Sequence, residues 1–89
     1  MLSKEVQICN KKGLHARAAS KLVQVAAKFS SKIQLLRDGQ MSDAKSILGV
    51  LVLAAHQGSL LTITAEGEDE GQAIEALSDL INRKFDEGE

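Results

Sequence analysis

Proline, tryptophan and tyrosine are absent from the 89 residues, and phenylalanine occurs only as Phe29 and Phe85. Proteins that bind RNA on a sheet, or single strands on a platform, stack bases on exposed aromatic side chains. The composition argues against both classes. One cysteine, Cys9, cannot form an internal disulfide or a cysteine-rich zinc site. The longest apolar run, residues 47–55, is nine residues interrupted by Gly49 and is too short to span a membrane. The start, Met1-Leu2-Ser3-Lys4-Glu5, has no long apolar run behind a basic stretch. No signal peptide is therefore expected, and the expected address is the cytoplasm. The length is right for one domain, residues 1–89, without room for a deep cleft between lobes.

The formal net charge of −1 hides a segregation. Residues 1–45 carry nine Lys/Arg and three acids, whereas residues 46–89 carry two bases and nine acids. Segregated charge either forms an ordinary solvated surface or steers a basic face toward an acidic partner or anion. The excess is too small to suggest duplex DNA, so no nucleic-acid partner is expected.

Periodicity gives the order βαββαβα. Residues 2–8 alternate, with Val6 and Ile8 on one side, as in a half-buried strand. Residues 16–29 place Ala19, Leu22, Val23, Ala26 and Phe29 on one helical face. Residues 32–37 and 40–42 flank Asp38-Gly39, a strong hairpin signal. Residues 46–55 read as a short helix, although so apolar a run leaves a strand open. Residues 60–66 alternate again. The last helix begins near Asp69, a candidate N-cap with Gln72 three residues on, and runs to Lys84. The tail, residues 86–89, is expected to fray. Helices that share one sheet face make a two-layer α+β sandwich.

Chemistry concentrates at Gly13-Leu14-His15-Ala16-Arg17. A helix start offers N–H groups without internal partners and the positive end of the dipole, which together bind anions. Here those groups include the amides of Ala16 and Arg17. His15 adds an imidazole, whose neutral nitrogen can attack phosphorus. Arg17 adds a planar guanidinium suited to phosphate oxygens. Alternatively, His15 merely caps the helix. Ser46, after Lys45, is either an N-cap or a phosphorylation site whose charge would fall beside Ile47, Leu48 and Leu51. That apolar run is core, a docking patch, or one face of each. Cys9 reads as a small buried residue and His56 as a surface histidine. The acids at 66–70 have no His or Cys beside them and no calcium-loop spacing, so neither a metal nor another cofactor is expected.

Gly13-Leu14-His15-Ala16-Arg17-Ala18-Ala19 closely resembles the active-site signature of the HPr family, the histidine-containing phosphocarriers of the bacterial phosphotransferase system. Lys45-Ser46-Ile47-Leu48-Gly49-Val50 resembles that family's second signature, around its regulatory serine. Both motifs, their separation and the chain length fit, so the resemblance covers essentially the whole chain. It implies an open-faced sandwich with a four-stranded antiparallel sheet under three helices. It implies that His15 accepts a phosphoryl group at Nδ1 from phospho-enzyme I, ultimately from phosphoenolpyruvate, and passes it to enzyme IIA domains, with Arg17 steadying the phosphate. It also implies that an HPr kinase/phosphorylase, where the host has one, modifies Ser46. Leu14, Ser20, Ile47, Leu48 and Leu51 would form the docking surface. Such a protein is a monomeric carrier rather than a free-standing enzyme. Two departures stand out: Ala18 where the family usually has proline, and Gln24 and Ala27 where basic residues are common. The tail is somewhat like the nitrogen-related branch, the Ser46 segment like the kinase-regulated branch. Two other readings stay in play, a binding module acting mainly through Ser46 and an unrelated ligand-binding domain in which His15 is only a cap.

Overall fold

Alternating side chains settle the layering. In β4 (Leu60–Glu66), Leu61, Ile63 and Ala65 are buried, while Thr62 and Thr64 lie on the opposite face. β4 pairs antiparallel with β1 (Leu2–Gln7) on one side and β2 (Lys32–Arg37) on the other. Val6 faces Leu61 and Leu35 faces Ile63, which aligns the apolar positions on one face. A short β3 (Gln40–Asp43) completes an antiparallel sheet of order β1-β4-β2-β3. These features come from a computed structural model that describes residues 1–87.

Three helices cover the apolar face: α1 (Ala16–Ala26), α2 (Ile47–Val52) and α3 (Glu70–Asn82), with a 3₁₀ turn at Lys84–Asp86. Ala18, Ala19, Leu22 and Ala26 of α1 and Ala73, Ile74, Leu77, Leu80 and Ile81 of α3 meet the strand residues in one core. α2 packs on α1 and beside β3. The architecture is the two-layer α+β sandwich expected from the periodicity, in the open-faced form with a four-stranded antiparallel sheet that the resemblance implies. No helix of the described residues is long and apolar enough to cross a membrane.

The hairpin expected at Asp38-Gly39 is present. Both residues have positive φ, 50° and 82°, as a two-residue type I′ turn requires. Other boundaries differ. β1 ends at Gln7, yet Ile8 still exchanges backbone hydrogen bonds with Gly58 and Ser59. α1 ends at Ala26 rather than Phe29, because the amides of Lys28 and Phe29 turn to carbonyls three residues back, tightening the last turn. α2 starts after Ser46 as expected but stops at Val52, and Ala54 has φ +50°. α3 stops at Asn82, before the left-handed run 84–86.

Asp69 does not cap α3 with its side chain. Its carboxylate accepts the amides of Ser30 and Ser31, each at 2.9 Å, and the Ser31 hydroxyl. The clasp ties the α1–β2 turn to the β4–α3 turn. The Ser31 hydroxyl, followed by the Ser30 amide, holds this carboxyl at about 2 instead of 3.8. A depressed folded-state value means that the clasp stabilises fully above 3.8, and that its contribution fades as pH falls from there through about 2. Asp69→Ala is expected to lower Tm at neutral pH, and the gap from wild type to close across that acid window in thermal melts. A gap unchanged through the window would show that the carboxylate's charge is not what the clasp uses.

Candidate functional site

The loop between β1 and α1 is built around a close backbone approach. Gly13 has φ +64°, and a Cβ there would lie 2.5 Å from the Ala55 carbonyl oxygen. The next residue exploits that proximity, since the Leu14 amide donates to Ala55 O at 2.9 Å. Asn10, fully buried, donates from Nδ2 to Gly13 O at 2.9 Å and closes the loop from within. Leu14 is 4% exposed and belongs to the core. That corrects its assignment to the docking surface, because anchoring the loop consumes its side chain.

His15 follows as the N-cap of α1, with extended backbone (φ −75°, ψ 179°). Its carbonyl accepts the first helical bond, from Ala19 N at 2.8 Å. Its ring makes no cap hydrogen bond, so the side chain is not the cap that the simplest reading offered. Among the described residues, the amides of Ala16, Arg17 and Ala18 have no hydrogen-bond acceptor. The helix start thus keeps donors for an anion. Ala18, where proline would have removed one of them, is buried and continues the helix.

Arg17 is exposed and engages no acceptor among the described residues. It lines a recess of about 220 Å³ with Lys12, Lys21, Asp86 and Glu87. The recess is where the segregated basic charge of the first half meets the acidic tail. Glu87 Oε2 accepts from or pairs with Nε2 of His15, and Oε1 accepts from Asn10 Nδ2 at 2.9 Å. Burial pushes the Glu87 carboxyl up. Hydrogen bonds from Asn10 and His15, with the charges of His15 and Lys12, outweigh that effect and leave it below the usual carboxylate value.

The fraying expected for the tail is therefore wrong at Asp86 and Glu87; Gly88 and Glu89 lie outside the described residues. Lys84, Phe85 and Asp86 take φ values of 58°, 55° and 61°, a left-handed run that folds the chain back over the site. Such a conformation costs ~1–2 kcal/mol per residue. Offsetting it, Phe85 is fully buried, Lys21 Nζ donates to Phe85 O at 2.6 Å, and Arg83 pairs with Asp79 and Asp86. Sequence reasoning missed Glu87, Asn10, Lys12 and Lys21. The one usable signal was Phe85, an aromatic too costly to leave exposed just before the tail read as frayed.

The second motif sits beside the first through the packing of α2 on α1. Ser46 is the N-cap of α2, and its Oγ accepts Gly49 N at 3.1 Å. Val50 is buried and Leu51 half-buried, while Ile47 (45%), Leu48 (75%) and Val52 (59%) are exposed. The run is both core and open surface, with Val52 an exposed member that the sequence did not single out. Ser20 is half-buried one turn further along α1, within 3.4 Å of Gln24 Nε2. Cys9 is half-buried, its thiol 3.2 Å from Ile81 O. His56 is exposed beside Arg37 and outside the site. Among the described residues, no group of three or more His, Cys, Asp or Glu side chains could hold a metal ion.

Residues 2–83 match the family model described as PTS HPr component phosphorylation site. The chain is 49% identical over 89 residues to the phosphocarrier protein HPr of Cupriavidus necator, covering 100% of both chains. Among solved structures it is similar to one described as HPr-C-His from Thermoanaerobacter tengcongensis, with TM-score 0.95, 48% identity and 98% of each chain covered. It is also similar to a structure described as an HPr dimer from that organism, with TM-score 0.77, 48% identity, and 96% of this chain and 98% of that one covered.

Gly13→Ala tests the loop. The left-handed backbone costs ~1–2 kcal/mol for a non-glycine residue, and displacing the Ala55 carbonyl adds to it. A loss of about 2 kcal/mol or more is expected in denaturant unfolding. A variant as stable as wild type would mean that the loop does not need this approach.

Proposed function

The chain belongs to the HPr family of phosphotransferase-system components, and from that premise we propose that His15 is its phosphoryl-accepting residue. Members of this family carry phosphate rather than turn over a substrate. The observation that supports His15 most is its placement: an N-cap whose ring is not spent on capping, 28% exposed at the side chain, beside amides and an Arg17 that have no acceptor among the described residues.

In this reading the donor is phospho-enzyme I, charged by phosphoenolpyruvate, and the acceptor is a histidine on an enzyme IIA domain. The Nδ1 lone pair attacks phosphorus in line as the donor nitrogen leaves with its electron pair. The helix N-terminus and Arg17 stabilise charge on the equatorial oxygens, which is where such a transfer needs help. Ile47, Leu48, Leu51 and Ser20 supply the docking surface, with Val52 beside them. The whole chain, residues 1–89, acts as one domain, as a monomer, in the cytoplasm.

Ser46 is proposed as a regulatory phosphorylation site for a serine kinase. A phosphate there adds about −1.5 to −2 charges near neutral pH. Its oxygens can take over the Gly49 amide that Oγ now caps, so α2 stays folded. The charge then falls beside exposed Ile47 and Leu48 and weakens docking to partners that bind this apolar surface.

Incubation with phosphoenolpyruvate and enzyme I should add one acid-labile phosphate by intact mass, and His15→Ala should abolish it. Uptake that survives in His15→Ala would overturn the assignment. Arg17→Ala is expected to slow initial transfer about 100- to 1,000-fold, the scale of losing one transition-state donor. Ser46→Asp should slow it by about 10-fold through docking, equivalent to ~1.4 kcal/mol of lost complex stability. An Asp variant that transfers at the wild-type rate and binds enzyme I equally well would remove the regulatory role.

A further inference from the structure

The C-terminal strap brings to the site a carboxylate for which phosphate carriage alone gives no reason. A carboxylate near an anion site should repel the incoming phosphate. Here it is instead turned onto one nitrogen of the nucleophile. Glu87 Oε2 contacts Nε2 of His15, and no hydrogen bond reaches Nδ1 among the described residues.

The strap is fixed from several directions. Phe85 is fully buried, Lys21 holds its carbonyl at 2.6 Å, and Arg83 pairs with Asp79 and Asp86. Asn10 spends its amide donors on two acceptors, Gly13 O in the nucleophile loop and Glu87 Oε1 in the strap, each at 2.9 Å. A fully buried side chain thus sets the loop and the carboxylate against one another. Glu87, 14% exposed at its side chain, has little freedom to swing toward Lys12, Arg17 or Lys21 across the recess.

A neutral imidazole carries one proton, and the partner of one nitrogen decides where it resides. An ionised carboxylate only accepts hydrogen bonds. At this contact the proton must therefore sit on Nε2, since the alternative sets a nitrogen lone pair against a carboxylate oxygen. The same logic fixes histidine tautomers in metal sites and in catalytic triads.

We propose that Glu87 is a positioning residue for His15, holding the ring in the Nε2–H tautomer so that Nδ1 presents its lone pair for phosphorylation. This rests on the reading of His15 as the phosphoryl acceptor. The same contact serves both directions of transfer. When the Nδ1–P bond forms, the donor N–P bond breaks, the donor nitrogen keeps the electron pair, and the proton stays on Nε2. The ring gains a positive charge, which the Glu87 carboxylate balances. When the phosphoryl group moves on, the electron pair of the Nδ1–P bond returns to Nδ1 and the ring is neutral again.

The test uses protein labelled with ¹⁵N in histidine, unphosphorylated, with spectra recorded over a range of pH. Long-range ¹H–¹⁵N correlation spectra distinguish the two tautomers. Wild type should show His15 as Nε2–H. Glu87→Gln, whose amide can donate as well as accept, should show a mixed population, and Glu87→Asp should recover part of the preference. Initial phosphorylation by phospho-enzyme I should fall about 10-fold in Glu87→Gln and less in Glu87→Asp. Thermal melts of both variants separate this effect from loss of fold. Retention of the Nε2–H tautomer and of the wild-type rate in Glu87→Gln would overturn the proposal. If wild type takes no phosphate on His15, the carrier reading fails instead, and the spectra still report whether Glu87 sets the tautomer.

Discussion

A gap only a glycine can fill, between Gly13 and the carbonyl of Ala55, is the constraint on which the site depends. It lets the Leu14 amide reach that carbonyl, and Leu14 then enters the core. With residues 13 and 14 fixed, His15 has no latitude: its backbone is extended and its carbonyl starts α1. The proposed phosphoryl acceptor thus stands on a rigid element rather than on a mobile loop, as precise transfer between proteins would require. The same contact joins the segment after α2 to the loop before α1. The two signature motifs are therefore mechanically connected as well as adjacent.

The imidazole sits between opposite electrostatic demands. Helix amides and the cations Lys12, Arg17 and Lys21 favour an anion, whereas Asp86 and Glu87 oppose one. A wholly positive pocket would bind phosphate tightly and resist releasing it, yet a carrier must let go. Under the proposed carriage on His15, balanced charge would lower the depth of the bound state without removing the donors offered to the transition state. In that light the departures from family pattern are tolerable. Ala18 fills the same buried first-turn position that proline would, and it adds an amide donor. Gln24 lies further along α1 and is exposed, where it changes the charge offered to a partner rather than the chemistry.

How much of this was legible in the sequence follows from how local each determinant is. β2 and β4 match their expected bounds because their alternation is set by strict apolar spacing against one core face. The hairpin was readable because Asp-Gly favours positive φ at both central positions. The places of His15 and Ser46 at helix starts were readable because local residues set them. The Asp69 cap was misread because partners far along the chain compete for its side chain. Asp69 has the residue type of a cap, yet Ser30 and Ser31 claim its carboxylate from 38 or more positions away. The tail was the largest error. Its acids carry no periodicity, and nothing local reveals that burial of Phe85 would sustain three left-handed residues and deliver Glu87 to His15.

α2 shows how one short segment could serve both structure and the regulation proposed at Ser46. Six residues are too few to form a stable helix alone, so its order comes from Val50 in the core, the Ser46 cap and Arg37, whose guanidinium reaches Leu53 O at 3.1 Å. Those three attachments leave Ile47, Leu48 and Val52 unused by the fold. An apolar surface so held is rigid and exposed, which favours rapid docking at little ordering cost. A phosphate on the capping serine would leave the core attachment and the Arg37 bond in place, and its own oxygens could keep the cap. It would alter only the charge beside the exposed residues. Under the proposed modification, this geometry would separate its energetic cost from its effect on binding, as a reversible switch on a small domain with little stability to spare would need.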